Sequence, residues 1–428
     1  MNILITGGSW DERNAGGNTL SNVFDRWGQD CLYYISTREA PPFNSVCNKY
    51  YRITTISIIR HFLQREEIGK SFIYNNTEVA SINTGSSFSI EKNIINSIHR
   101  YKMLAFYHIN DWVWNSERWK NNKFKAFLKE ANPQIQFAFA SGTIQLFKII
   151  NTVGTLTKAK TILFITDDVY GVYSRGKGMR FHQMKERFEI LMKLADKVYG
   201  ASENLCDEYE KIFDRKILPL YKGCDLSLPI KNKPNKPLRI VYAGNLLYGR
   251  AETLSRLSEA IRLVNADEEK AALEIYTGTT FSPQIALLLK TGPGTDIYSA
   301  RPYEEIKSIM NDADVVLHVE SFEDEQIANV RLSFSTKIID CLQSGSGILA
   351  IGPARIASIE YLRKIDGVHV VDNPDDILAR LQQIVDQPVQ LIKQAIKIRE
   401  FALEHHDIKT VHERLRADFS ALLGECDL

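Results

Sequence analysis

The chain has 428 residues, of which 44% are hydrophobic and 25% charged, and its formal net charge is +1. This length favours two or three domains of a globular protein, and no apolar run reaches the ~18 residues that span a membrane. The balanced charge and the absence of a zinc-finger or RNP signature argue against a dedicated nucleic-acid binder.

Three further features bound the class of protein. Six cysteines are scattered without CxxC pairs, which favours reduced thiols in the cytoplasm and argues against a zinc site. The N-terminal MNILITGG has no basic region, so we expect a first strand there and not a signal peptide. Residues 1–222 are net basic and the remainder net acidic, which suggests an acidic partner or surface for the first half.

Short apolar runs in the first half predict the buried strands of a parallel sheet. They lie at residues 2–6, 31–36, 135–140, 161–166, 196–202 and 216–220. Residues 40–96 are polar and weakly periodic, so we expect short elements and exposed loops in that segment.

Two places in the first half are candidates for contacting a ligand. Gly16 and Gly17 precede a predicted helix, where paired glycines let backbone amides approach a ligand closely; a turn without a ligand is an equally good interpretation. Neither GxGxxG nor GxxxxGK[ST] occurs. Asp167 and Asp168 end a predicted strand, and charged residues at such a carboxyl end face the crevice of an open α/β sheet.

Residues 98–129 are both aromatic and basic. Trp112, Trp114 and Trp119 lie there among many lysines and arginines. Aromatic and basic residues interleaved on helices suit an interface with anionic lipid headgroups. The alternative is that the tryptophans pack in the core while the lysines form a solvated face.

The second half begins after a proline-rich linker at 223–237. Apolar runs then alternate with helical patterns, and they predict strands at 238–243, 273–277, 295–300, 314–319 and 367–371. Such alternation implies a parallel sheet covered on both faces. We expect residues 320–330 to form an acidic loop and a final amphipathic helix near 409–422 to cross back to the first domain.

Residues 331–352 contain the richest set of candidate residues. Ser335 and Thr336 stand where an N-cap belongs, ahead of apolar residues at helical spacing. Lys337 and Asp340 are three apart and therefore share a helical face. The first turn of a helix suits a phosphate, and Asp340 could accept hydrogen bonds from sugar hydroxyls; an ordinary capped helix is the alternative.

The second half resembles the GT-B glycosyltransferases, especially family 4-like retaining enzymes of bacterial polysaccharide assembly. That family has a G-R-x4-K pattern after the first strand of its second domain, whose basic residues hold the donor pyrophosphate. Gly244 and Arg250 match its glycine and lysine, whereas Asn245 replaces the arginine. The Ser-Thr-Lys at 335–337 is similar to a motif found in some branches.

The family also has a Glu-x7-Glu motif. Asp340 matches its second glutamate, while Leu332 stands at the first position. The resemblance leaves Glu320, Glu323 and Asp324 as candidate substitutes. By the same resemblance, the Gly16–Gly17 pair and the Asp167–Asp168 pair correspond to acceptor-side positions.

The resemblance implies two Rossmann-like domains facing across a cleft, with ranges 1–222, 238–404 and a C-terminal helix at 405–428. It implies a hexosyltransferase-type enzyme (EC 2.4) that uses a UDP- or GDP-linked sugar and a saccharide or lipid-linked saccharide acceptor, with retention and without metal or other cofactor. Arg250 and Lys337 would stabilise the leaving diphosphate, and Gly244, Asn245, Ser335, Thr336, Asp340 and Glu320 would bind the donor. The expected location is the cytoplasm, at the inner face of the plasma membrane.

Two rival interpretations remain open. A GT-B-fold epimerase acting on a UDP-sugar would need histidines at the sugar, and only His108 and His318 are plausible. A catalytically degenerate partner subunit of another transferase would explain Asn245 and the disturbed Glu-x7-Glu motif. The sequence gives no indication of the oligomeric state.

Overall fold

The computed structural model describes residues 1–12, 15–73, 103–279, 283–289 and 293–424. The chain divides into two compact units. Unit 1 comprises Met1–Gly200, Glu210–Leu218 and Leu415–Leu428, and unit 2 comprises Ala201–Tyr209 and Pro219–Arg414. The predicted linker at 223–237 therefore falls inside unit 2.

Unit 1 is built on an eight-stranded sheet of order β4-β3-β2-β1-β5-β6-β7-β8. The pairs from β3 to β7 are parallel, and β4 runs antiparallel to β3. The strands are β1 Ile3–Thr6, β2 Leu32–Ser36, β3 Lys49–Arg52, β4 Lys70–Ile73, β5 Ile135–Phe139, β6 Lys160–Ile165, β7 Lys197–Gly200 and β8 Leu218–Pro219.

Helices follow most of these strands, as an α/β fold requires. They are α1 Ala15–Phe24, α2 Thr55–Gln64, α3 Met103–Asn115, α4 Asn122–Ala131, α5 Ile144–Thr157, α6 Val169–Arg175, α7 Met179–Leu194 and α8 Glu203–Phe213. The α8 helix belongs to unit 2 up to Tyr209 and to unit 1 from Glu210. The predicted loop segment at 40–96 contains β3, α2 and β4 as far as residue 73, and the rest of it lies outside the described residues.

The aromatic and basic stretch has mixed surroundings, where it is described. Trp114 and Trp119 are fully buried against Phe124 and other apolar side chains, so for these two the core interpretation is the right one. Trp112 is 60% exposed and lies 4.8 Å, ring to ring, from Phe62. The membrane hypothesis therefore depends on one exposed tryptophan rather than three. Residues 98–102 lie outside the described ranges.

Unit 2 is built on a six-stranded sheet of order β11-β10-β9-β12-β13-β14 in which every neighbouring pair is parallel. The strands are β9 Leu238–Ala243, β10 Ala271–Thr277, β11 Thr295–Ser299, β12 Val315–Val319, β13 Gly347–Ile351 and β14 His369–Val371. Each predicted strand of the second half is present. The inner strands are mostly apolar and buried, as in a parallel sheet covered on both faces, whereas the edge strand β11 is largely exposed.

Helices cover both faces of this sheet. They are α9 Arg250–Val264, α10 Pro283–Leu289, α11 Tyr303–Asp312, α12 Asp324–Val330, α13 Lys337–Gln343, α14 Ala357–Arg363, α15 Ile377–Asp386, α16 Gln390–His406 and α17 Ile408–Leu423. One apolar cluster joins the sheet to α9 and α15, and another joins it to α11, α13, α14 and α16. Such two-sided burial confirms the predicted α/β class.

One element differs from the sequence predictions, whereas the last helix lies close to its predicted range. The acidic segment at 320–330 was predicted as a loop, but α12 occupies Asp324–Val330 and buries its own Ile327. Asp324 and Glu325 lie in its first turn, where acidic residues favour a helix. In the sequence the same acidic residues looked like those of an exposed loop. The last helix, α17, contributes its residues from Leu415 to unit 1, where the Phe419 ring packs against Trp27 and Phe137.

The strand order of the second sheet locates its ligand-binding edge. From β9 the chain proceeds to β10 and β11 on one side, and it returns to β12, β13 and β14 on the other. The order therefore reverses between β9 and β12. Open α/β sheets bind ligands outside the carboxyl ends of the strands at such a point.

Among the described residues, no helix combines the length and the apolar character that would be needed to cross a bilayer.

Candidate functional site

The loop after β9 and the start of α13 meet at the point where the strand order reverses. The Lys337 ammonium lies 3.3 Å from the Tyr242 hydroxyl and so close to Gly244 that a Cβ added there would be 2.0 Å from Nζ. Within the described part of the chain, Lys337 forms no ion pair with a carboxylate. The structure therefore brings predicted residues 244 and 337 together, and a side chain at 244 would displace the end of the lysine from this position.

Arg250 opens α9 and is almost completely buried, with 7% of its surface exposed. Its Nη2 donates to both carboxylate oxygens of Glu320 at 3.1 and 2.9 Å. Its Nε donates to the Val319 carbonyl at 3.1 Å, and Nη1 donates to Asn245 Oδ1 at 2.8 Å. Arg250, which was predicted to bind the diphosphate, thus forms a buried ion pair with Glu320 in this conformation.

Glu320 is the acid that stands at the carboxyl end of β12. It is 2% exposed, and its backbone N–H donates to the Ile351 carbonyl at 2.8 Å. The other two candidate substitutes, Glu323 and Asp324, are exposed, and Asp324 pairs with Arg355. Of the three acids considered from the sequence, Glu320 alone reaches the cluster around Arg250.

His318 lies inside the same cluster, two residues before Glu320 on β12. It is 1% exposed, and its Nε2 is 3.4 Å from Glu320 Oε1. Burial, with the nearby charges of Lys337 and Arg250, lowers the pKa of His318 to about 3. The imidazole is therefore neutral at physiological pH. His108, the other histidine considered for an epimerase, is an exposed residue of unit 1.

Asp340 is held in a second group of polar side chains. Its Oδ1 accepts hydrogen bonds from Lys222 Nζ at 2.9 Å and from the Tyr303 hydroxyl at 3.2 Å. Burial opposes the charge of Lys222, but the adjacent Asp340 carboxylate outweighs it and raises the pKa of the lysine. Gln343 donates to the same Tyr303 hydroxyl at 2.9 Å. Lys337 and Asp340 thus make different contacts, although they lie on the same turn.

Ser335 and Thr336 do not cap α13 as the sequence suggested. Thr336 occupies the N-cap position, but its backbone is helical and its side chain makes no capping hydrogen bond. The Ser335 backbone N–H donates instead to the Ser358 hydroxyl at 3.2 Å. Both residues are half-buried beside Lys337, and the helix itself has only 7 residues.

The candidate acceptor-side residues have structural roles in unit 1. Gly16 and Gly17 lie in the first turn of α1 rather than in a loop before it. A Cβ at Gly17 would be 2.1 Å from the Asp11 carbonyl oxygen, so close chain packing accounts for this glycine. Asp168 caps α6 by accepting from the Gly171 N–H at 3.0 Å.

Asp167 and Asp168 also lie one strand away from the point where the first sheet reverses. In that sheet the order reverses between β1 and β5, whereas these two aspartates follow β6. Asp167 is exposed and accepts from the Thr166 hydroxyl at 3.1 Å. The assignment of the pair to an acceptor site stays a prediction.

A cavity of about 910 Å³ lies in unit 1 and includes none of the predicted residues. Its acidic groups have partners within the same unit. Asp418 accepts from the Tyr199 hydroxyl and pairs with Lys197, and Asp196 pairs with Lys160. The Arg215 guanidinium donates to the carbonyls that end α7. Size alone therefore does not make this cavity the functional site, and the cluster around Lys337 is the better candidate.

The cluster around Lys337 is suited to an anion. Arg250 and Glu320 neutralise each other and His318 is neutral, so the Lys337 charge remains uncompensated within the cluster. Among the described residues, no group of three histidine, cysteine, aspartate or glutamate side chains could hold a metal ion.

No protein-family model matches the chain, and no curated protein matches it in sequence. Solved structures do match. HepE from Anabaena in complex with UDP and glucose aligns with a TM-score of 0.62 at 10% identity, over 98% of this chain and 100% of that one. Sucrose-phosphate synthase from Thermosynechococcus elongatus aligns with a TM-score of 0.59 at 11% identity, over 100% of both chains.

A third structure is the pneumococcal O-GlcNAc transferase GtfA in complex with UDP and GlcNAc. It aligns with a TM-score of 0.53 at 14% identity, over 71% of this chain and 60% of that one. The two Rossmann-like sheets and these likenesses show that the chain has the GT-B fold. The more specific likeness to family 4 stays a prediction.

Sequence reasoning missed the partners that fix the site residues. Lys222 is the last residue of the predicted first domain, and nothing in the sequence patterns above singled out Tyr303. Both contact Asp340 from distant parts of the chain. The position of Tyr303 in the sequence could have indicated this contact. Tyr303 follows the carboxyl end of β11, and side chains at such strand ends line the ligand crevice of an open α/β sheet.

The buried histidine gives a pH-dependent prediction. The pKa of His318 is about 3 in the fold and ~6.5 in an unfolded chain. Because the folded pKa is the lower one, the unfolded chain binds a proton first, so the wild type loses stability as the pH falls from ~6.5 toward ~3. We expect His318→Leu to lose less stability than the wild type between pH ~7 and ~4.5, by up to ~1.4 kcal/mol per pH unit.

The measurement is urea unfolding of both proteins across that pH range. His182→Leu is the matched control, since His182 is exposed and its removal should leave the wild-type pH dependence unchanged. Parallel pH profiles for His318→Leu and the wild type would show that the imidazole is not held neutral by burial.

Proposed function

We propose that this chain is a glycosyltransferase that moves a hexosyl group from a nucleoside diphosphate sugar, UDP- or GDP-linked, to a saccharide acceptor. The observation that carries the proposal is the convergence of Lys337, Gly244 and Arg250 where the strand order of the second sheet reverses. The likeness to structures solved with UDP supports it. The family 4 resemblance adds retention of configuration to the proposal.

The chemistry needs positive charge at the leaving group. When the sugar–phosphate bond breaks, negative charge develops on the nucleoside diphosphate. Preorganised cations and hydrogen-bond donors stabilise such charge without reorganising during the reaction. Lys337 would do this directly, since its ammonium lies next to the backbone of Gly244. In the proposed reaction Lys337 and the nearby hydrogen-bond donors stabilise the charge on the leaving diphosphate, which a metal ion does in other transferases.

The leaving phosphate itself takes the proton of the acceptor hydroxyl in the proposed retaining reaction. Asp340, at the position of the family's second glutamate, would hold sugar hydroxyls of the donor. One of its oxygens is already bonded to Lys222 and Tyr303, so the other is the one proposed to face the donor.

A degenerate partner subunit is the second candidate function. Arg250 is already paired with Glu320, and Asp340 with Lys222. Asn245 also replaces an arginine of the family pattern. These features would suit a chain that binds a nucleotide without turnover. Binding of UDP or GDP with no transfer to any acceptor would favour this candidate. Conversion of a UDP-sugar without acceptor would favour the epimerase.

The first prediction of the transferase proposal concerns Lys337. Loss of one contact to a developing anion typically lowers turnover by a factor of about 10²–10³, or ~3–4 kcal/mol. We expect Lys337→Ala to lower turnover by this factor while the protein stays folded, because the ammonium is not in a buried ion pair. Turnover is measured as UDP release in the presence of acceptor, after a thermal-shift panel of nucleoside diphosphates has identified the donor base.

Lys397→Ala is the control, because this exposed lysine pairs with Asp366 on the surface of unit 2. It should keep wild-type turnover. Turnover of Lys337→Ala within threefold of the wild type would exclude the lysine as a donor-binding group. Arg250→Ala is a less informative variant, since it leaves Glu320 buried and unpaired and should cost about 3–5 kcal/mol of stability.

We also propose that a lipid-linked acceptor is met at an anionic membrane surface at the inner face of the plasma membrane. Trp112 and Ile109 are exposed, one turn apart on α3, and the Arg118 guanidinium lies 4.5 Å from the centroid of the adjoining Phe62 ring. An aromatic side chain flanked by cations suits a headgroup layer.

Flotation with vesicles tests the membrane proposal. We expect Trp112→Ser to reduce the fraction that floats with anionic vesicles by about threefold or more, since interfacial binding scales with the apolar area inserted. Leu403→Ser, at an exposed site in unit 2, should float like the wild type. Equal flotation of the two variants, or no effect of salt on the wild type, would contradict a docking role for this surface.

A further inference from the structure

His318 is a buried polar side chain with unused hydrogen-bonding capacity. Neither ring nitrogen has a hydrogen-bond partner among the described residues, although the side chain is 1% exposed. A buried polar group without a partner loses its hydration and gains nothing in return. Such a group calls for an explanation, and the structure offers one in its neighbours.

The charged groups around His318 come from three elements. Glu320 follows it on β12, Arg250 opens α9 and Lys337 opens α13. The Nε2–Oε1 distance of 3.4 Å to Glu320 is just beyond the usual 2.7–3.2 Å of a hydrogen bond. A small rotation would therefore let the Nε2–H group donate to the Glu320 carboxylate. The His318 imidazole is therefore a hydrogen-bond donor that is not in use and lies next to Glu320.

Arg250 has no such spare capacity. Its Nη2 is used by Glu320, its Nε by the Val319 carbonyl, and its Nη1 by Asn245 and the Leu247 carbonyl. For Arg250 to reach a phosphate oxygen through Nη2, the Nη2 contacts to Glu320 must break. That exchange would leave a buried carboxylate without its cation, which is strongly unfavourable unless another donor replaces it.

We propose that His318 is a positioning residue for the donor: it takes over the Glu320 carboxylate when a nucleoside diphosphate draws the Arg250 guanidinium away. The inference rests on the proposed function and adds a mechanism to it. Binding then becomes an exchange of partners. Arg250 turns from Glu320 to the phosphate, and the His318 Nε2–H group turns to Glu320. In the proposed exchange the neutral imidazole is the Nε2–H tautomer, so it donates a hydrogen that it already carries and no proton leaves the chain.

The exchange explains why a strand that is otherwise apolar contains a histidine. A leucine at 318 would fill similar volume and would remove the unpartnered nitrogens. The unliganded protein would then be at least as stable, whereas the liganded protein would contain an unpaired carboxylate. Stability and affinity should therefore respond in opposite directions, which a purely structural role would not produce.

The experiment measures UDP affinity by calorimetry, or GDP affinity if the thermal-shift panel selects that base. We expect His318→Leu to weaken binding about tenfold or more, as loss of a hydrogen bond to a charged group would. His318→Gln should stay within about threefold of the wild type, since its amide can donate to Glu320. The melting temperature of unliganded His318→Leu should not fall.

His369→Leu is the matched control, because His369 is a half-buried histidine of the same sheet that contacts Gln394. It should bind UDP like the wild type. Equal affinity of His318→Leu and the wild type would overturn the inference while leaving the proposed function in place. Failure of the wild type to bind any nucleoside diphosphate would overturn the proposed function itself, and this inference with it.

A double-mutant cycle identifies the partner of the histidine. In a Glu320→Gln background residue 320 carries a neutral amide, so no buried negative charge is left unpaired when Arg250 turns away. We expect the further change His318→Leu to alter UDP affinity by less than about twofold there, since coupled residues are non-additive. If the two effects multiply instead, His318 acts independently of Glu320 and the exchange mechanism is wrong.

Discussion

The buried ion pair between Arg250 and Glu320 is the interaction on which the geometry of the candidate site depends. It joins the start of α9 to the end of β12, and the same guanidinium holds Asn245 in the loop after β9. Removing two charges from water is costly unless their hydrogen bonds are satisfied, and here every nitrogen of the guanidinium has a partner. The pair fixes the two strand ends between which the sheet order reverses.

A local positive charge therefore arises in a half of the chain that is acidic as a whole. Residues 223–428 are net negative, yet near Lys337 the acid is neutralised by Arg250 and the histidine is uncharged. The ammonium also lies against a tyrosine face, 5.1 Å from the ring centroid of Tyr242, which favours a cation there. The short-range arrangement of charges, rather than their sum over the domain, suits this site to an anion.

The sequence was most informative where burial dictates composition. The inner strands of the second unit are largely buried, and they were predicted from runs in which apolar residues predominate. The proximity of Gly244 and Lys337 at the end of the sheet was also predictable, and the structure shows it, whereas their role in binding stays a prediction. What could not be predicted was pairing over long distances. Nothing near Arg250 in the sequence indicates that Glu320, 70 positions later, neutralises it.

Local capping signals were a weaker guide than strand periodicity. Ser335 and Thr336 have the residue types of an N-cap, but the turn before α13 is already helical, so their hydroxyls are not used as caps. Trp114 and Trp119 similarly look like interface residues in a basic segment, but their rings fill the core. Tertiary packing decided both cases, and the local sequence did not contain that information.

The most direct test of a nucleotide site at the end of the second sheet is a crystal structure of the chain with bound UDP or GDP, whichever the protein binds. It should show a phosphate oxygen within hydrogen-bond distance, about 2.7–3.2 Å, of Lys337 Nζ and next to the backbone at Gly244. A nucleotide bound elsewhere, such as in the cavity of unit 1, with Lys337 unchanged, would contradict the central claim.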